Sequence, residues 1–67
     1  MSKTTLERLI HMANQIAANQ AQEEDPATAT ATHIKRYWDP RMKAMILAGS
    51  RDGLSPPAAA AVAQLGA

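Results

Sequence analysis

The residues that could do chemistry crowd into one segment. Residues 33–43 read His-Ile-Lys-Arg-Tyr-Trp-Asp-Pro-Arg-Met-Lys and hold both aromatic residues of the chain and four of its seven lysines and arginines. Tyr37 and Trp38, flanked by Arg36 and Arg41, are the residue types that concentrate binding energy at protein interfaces, because a ring buries a large area and a guanidinium makes directed, charge-assisted hydrogen bonds. Two readings of this corner stand side by side. In the first, Trp38 closes a small core, Asp39 caps the helix that follows, Pro40 fixes the bend, and the basic side chains are solvated. In the second, the corner docks a partner: Trp38 is the anchor, Arg36 and Arg41 bond across the interface, and Asp39 and Pro40 hold its shape. Met12, Met42 and Met45 suit either, as adaptable gap fillers or as apolar surface that another chain covers. Aromatics among basic residues also suit a nucleic acid, but a local excess of three positive charges and a net charge of +1 are small for that role, and nucleic acid is not the expected partner.

Other chemistries lack their residues. His11 and His33 are the only histidines, and with no cysteine in the chain and no HExxH pattern they do not build a metal site. The missing cysteines also remove disulfides and thiol catalysis. Ser2, Ser50 and Ser55 read as terminus, loop and cap, without a base to activate them, and Gly49, Gly53 and Gly66 are too scattered for a phosphate loop. No catalytic, cofactor-binding or metal-binding residue is expected, and the chain is not expected to be an enzyme on its own.

The elements that must position the corner are helices. Thr4 with Glu7 forms a capping box, and Leu6, Ile10, Ala13 and Ala17, flanked by Leu9 and Ile16, follow the spacing of one apolar stripe, so a helix is expected over 5–21. Asp25-Pro26 marks the start of a second helix, 26–38, with Ala27, Ala31, Ile34 and Trp38 on one face. The alternation of alanine and threonine over 27–32 would also suit a short strand, although helix is favoured. Asp39-Pro40 repeats the signal and opens a third helix, 40–48, for which Gly49 is read as a left-handed terminator. Asp52-Gly53 is a turn dipeptide, and a last helix, 56–65, starts at a Ser55 cap with two prolines in its first turn. Its apolar face is mostly methyl groups, which leaves open whether it orders without a partner.

These elements make one small all-α domain over 1–67, a hairpin of the first two helices with another folding back across it. Sixty-seven residues, with fifteen alanines among the apolar ones, give a thin core that a partner or a second copy would complete. No run of about 20 apolar residues could span a bilayer and no leader of the secretory kind is present, so a cytoplasmic protein with no membrane partner is expected.

Two blocks carry a family resemblance: Leu9-Ile10-His11-Met12-Ala13-Asn14-Gln15-Ile16-Ala17, and Ala31-Thr32 leading into residues 33–43, followed by Gly53-Leu54-Ser55-Pro56 and an alanine-rich helix. Together they resemble the delta subunit of the soluble NAD-dependent formate dehydrogenases over nearly the whole chain. One departure is that Ala18-Asn19-Gln20 stands where that family tends to have aromatics. The resemblance implies an accessory subunit of a cytoplasmic complex that oxidises formate and passes electrons to NAD. On this view a molybdenum or tungsten pterin, iron–sulfur clusters and FMN sit in the larger subunits, and this chain holds no cofactor. Its expected partner is the large alpha subunit, met through Met12, Asn14 and Gln15 of the first helix and the corner from Arg36 to Met42. Self-association of the isolated chain and a transient cofactor-insertion chaperone are the alternatives.

Overall fold

The computed structural model describes residues 5–49 and 51–66. These residues form four helices: α1 (Thr5–Asn19), α2 (Pro26–Tyr37), α3 (Pro40–Ala48) and α4 (Pro56–Leu65). No strand occurs among the described residues. The capping box of Thr4 lies outside them. At its other end α1 stops two residues earlier than the periodicity suggests. There the Gln20 N–H donates to both Ile16 O (3.0 Å) and Ala17 O (3.2 Å), and the Ala21 N–H turns back to Ala18 O, so the last turn tightens and the helix ends where the apolar stripe runs out.

Each of the next three helices begins at a proline, and two are capped by an aspartate. The Asp25 carboxylate accepts from the Thr28 N–H (3.2 Å) and the Thr28 hydroxyl (2.7 Å). Those bonds, the hydroxyl's first and the amide's second, hold its carboxyl below the usual aspartate range, because both favour the ionised form. The Asp39 carboxylate accepts from the Met42 N–H at 2.9 Å. Ser55 stands at the corresponding position of α4, but its hydroxyl makes no capping bond. With Pro56 and Pro57 in the first turn, two of the donors that a cap would satisfy do not exist.

The alanine–threonine alternation is helical. A strand would send 28, 30 and 32 to one side, whereas here Thr30 is fully buried and Thr28 and Thr32 are exposed. The Thr30 hydroxyl donates to Pro26 O at 2.7 Å, one turn back, which satisfies the one fully buried polar side chain among the described residues. Trp38 leaves the helix with an extended backbone, while its N–H still donates to Ile34 O at 3.0 Å.

Gly49 does not adopt the left-handed conformation expected of it: its φ is −78° and its ψ 173°. The reason for glycine there is steric. A Cβ at 49 would sit 2.7 and 2.8 Å from the two methyl carbons of Leu6 and 3.2 Å from Met45 O, so a larger residue would have to displace the Leu6 side chain. Positive φ occurs instead at Gly53 (89°), in a turn closed by the Leu54 N–H on Arg51 O (3.2 Å). Arg51 folds its guanidinium towards Ile46 O and Leu47 O in the last turn of α3.

The core joins Leu9, Ala13 and Ala17 of α1, Ile34 of α2 with Trp38, Ile46 of α3, and Ala58 and Val62 of α4. Leu6, Ile10, Ile16, Met42, Leu47, Leu54 and Leu65 pack around it. The most extensive helix pair is α2 with α4, and α1 touches all three of the others. Alanine on both sides allows this: Ala31, Ala58 and Ala61 are fully or almost fully buried, so the backbones approach closely. The last helix is therefore ordered by the chain itself, and it completes the hairpin of α1 and α2 together with α3.

Candidate partner interface

Trp38 and Tyr37 are adjacent in sequence and opposite in environment. Trp38 is 5% exposed and belongs to the core, whereas Tyr37 is 70% exposed. The expectation that Trp38 reaches a partner as a surface anchor is corrected by this placement: its ring is used up by the helices of its own chain. The aromatic presented to solvent is Tyr37, whose ring rests against His33 with centroids 4.7 Å apart and planes tilted by 45°.

Close to Tyr37 in the chain, Lys35, Arg36 and Arg41 are exposed, as are Asp39 and Pro40. Lys43 Nζ lies 3.4 Å from Lys35 O and so reaches from α3 to the last turn of α2, where the helix leaves carbonyls unpaired. This brings the charges of both helices to one end of the molecule. Met42 is half-buried against the core, while its backbone N–H holds Asp39. Asp39 therefore serves the fold at the bend, as the first reading of the sequence had it.

The α1 residues of the expected interface take a different direction. Met12 is 40% exposed and Gln15 is exposed on the outer side of α1. Asn14 is turned inward to the loop before α4: its amide donates to Gly53 O (2.8 Å) and its carbonyl oxygen accepts from the Ser55 N–H (2.8 Å). It clamps segments 39 and 41 residues away and is a structural residue. Asn14→Ala is expected to lower stability by about 2 kcal/mol, since two bonds are lost and two backbone groups lose their partner. An unchanged denaturant midpoint would show the clamp to be dispensable.

Beside this clamp lies a shallow, open cleft of about 280 Å³ lined by Glu7, Ile10, His11, Asn14, Asp52 and Gly53. Sequence reasoning did not find it, because its walls come from segments some 40 residues apart in the chain. No group of three or more histidine, cysteine, aspartate or glutamate side chains that could hold a metal occurs among the described residues. Nor is any helix among them long and apolar enough to cross a membrane.

Compared with known proteins, residues 8–62 match the family described as NADH-dependant formate dehydrogenase delta subunit FdsD. The match contains both sequence blocks, the Asn14 clamp and the basic corner. No curated protein and no solved structure matches the chain.

Proposed function

The chain belongs to the delta-subunit family of NADH-dependent formate dehydrogenases, and from that membership we propose that it is a non-catalytic accessory subunit that binds the large alpha subunit of such a complex in the cytoplasm. The family match over residues 8–62 carries the reading. The fold supports it: four short helices spend their apolar faces, Trp38 included, on one another and leave a basic corner with an exposed tyrosine at the surface. A small rigid body with a polar docking face stabilises whatever conformation of a large partner it prefers, by the free energy of binding to that conformation.

On this reading the oxidation of formate and the passage of electrons to NAD belong to the larger subunits, with their molybdenum or tungsten pterin, iron–sulfur clusters and FMN. The small subunit acts on assembly, on stability or on retention of the pterin. The test is to purify the complex from cells with and without this chain and to compare metal content, subunit ratio and formate-dependent NADH formation. Loss of metal or of subunits in its absence is the expected result. A complex of unchanged composition and activity would overturn the proposal.

A further inference from the structure

We propose that the junction of α2 and α3 is a receptor for an acidic patch on the partner subunit, with carboxylates pairing to Arg36 and Arg41 beside the exposed ring of Tyr37. The inference rests on the reading of the chain as a subunit and adds the chemistry of the surface that it meets. Between residues 27 and 49 the charged residues are Lys35, Arg36, Arg41 and Lys43 against Asp39 alone. The Asp39 carboxylate is directed to the Met42 N–H, and the Lys43 ammonium ties α3 to the end of α2. The two guanidiniums make no hydrogen bond or ion pair among the described residues. The acidic run Glu23, Glu24 and Asp25 cannot serve them within one molecule, since it lies at the opposite end of α2, about 18 Å away at 1.5 Å per residue.

The fold thus gathers positive charge at one corner of a chain with a net charge of only +1, so the rest of the molecule is net negative. Such a dipolar body is oriented by an acidic surface before contact and is poorly suited to a long polyanion, which would run from the basic corner onto acidic ground. A compact acidic patch meets only the corner. Tyr37, 70% exposed and backed by His33, gives that contact a flat, nearly rigid ring at its centre.

The experiment adds the purified chain to formate dehydrogenase complex isolated from cells that lack it, and measures affinity at low and high salt. Arg36→Glu with Arg41→Glu is expected to weaken binding roughly 100-fold, while Glu23→Gln with Glu24→Gln leaves it within about threefold. The wild-type affinity should fall as salt rises. Circular dichroism checks that the variant folds, and Arg36→Gln with Arg41→Gln replaces it if it does not. Wild-type binding that neither salt nor either arginine variant weakens would overturn the acidic-patch proposal and leave the subunit reading intact. Failure of the wild-type chain to bind at all would overturn both. Tighter binding to a mixed-sequence oligonucleotide than to the complex, or an arginine-dependent dimer in place of the complex, would also overturn it.

Discussion

Trp38→Ala is expected to unfold the isolated chain. The indole is 5% exposed and shares a cluster with Leu9, Ala13, Ile34, Ile46 and Val62, contributed by all four helices. Truncating a buried tryptophan to alanine costs about 3–5 kcal/mol, from lost transfer energy and from the cavity left behind. A domain of 67 residues has a total stability of about 3–10 kcal/mol at the usual 0.05–0.15 kcal/mol per residue. The substitution therefore removes between about a third and all of what holds the fold. Far-ultraviolet circular dichroism should lose most of its helical signal, and thermal melting should lose its cooperative transition. A variant with wild-type helicity and melting that fails only to bind its partner would restore Trp38 as a surface anchor and contradict its place in the core.

Val62→Asp is expected to do the same from the opposite side. Val62 is fully buried where α4 packs on the rest of the core, and among the described residues no buried side-chain oxygen or nitrogen lacks a hydrogen-bond partner. A carboxylate placed there has neither a cation nor a donor, and stranding a charge in such a place costs about 3–5 kcal/mol. The informative readout is how far the damage spreads. Because α2 and α4 form the largest helix pair, protection of the α2 and α1 amides from hydrogen exchange should be lost along with that of α4. If only the amides of residues 56–65 became labile, α4 would be an independent tail and the four-helix core would be wrong.

The helix boundaries were legible because the chain marks them with backbone chemistry. Proline cannot continue a helix but starts one well, so Asp25-Pro26, Asp39-Pro40 and Ser55-Pro56 locate three helix starts. The face of α2 was equally plain, since Ala31, Ile34 and Trp38 fall on one stripe and are buried together. What was not legible depends on distant partners. The close approach of position 49 to the Leu6 methyls is one example, and nothing near residue 49 in the sequence announces it. The Asn14 clamp reaches across some 40 residues to two backbone groups, and an asparagine on an amphipathic helix otherwise reads as a solvent-facing residue.

The corner is an intermediate case. Residue type and density alone mark it as a binding segment, but type does not say which of two neighbouring aromatics faces inward. Only packing assigns Trp38 to the core and Tyr37 to the surface. The consequence for function is a division of labour within two adjacent residues: one secures the bend and the other is presented by it. Asp39 and Pro40 extend this arrangement, because the cap and the ring fix the start of α3, whose second residue is Arg41.

The central claim is that the chain is a fixed component of a formate dehydrogenase complex. It is tested most directly by capturing the tagged chain from an extract of its native cells at moderate salt, identifying and counting the co-purified subunits by mass spectrometry, and assaying formate-dependent NADH formation on the same fraction. Formate dehydrogenase subunits in a fixed ratio to the chain, with activity, are the predicted result. Recovery of the chain by itself or with nucleic acid, and with no such activity, would contradict the account.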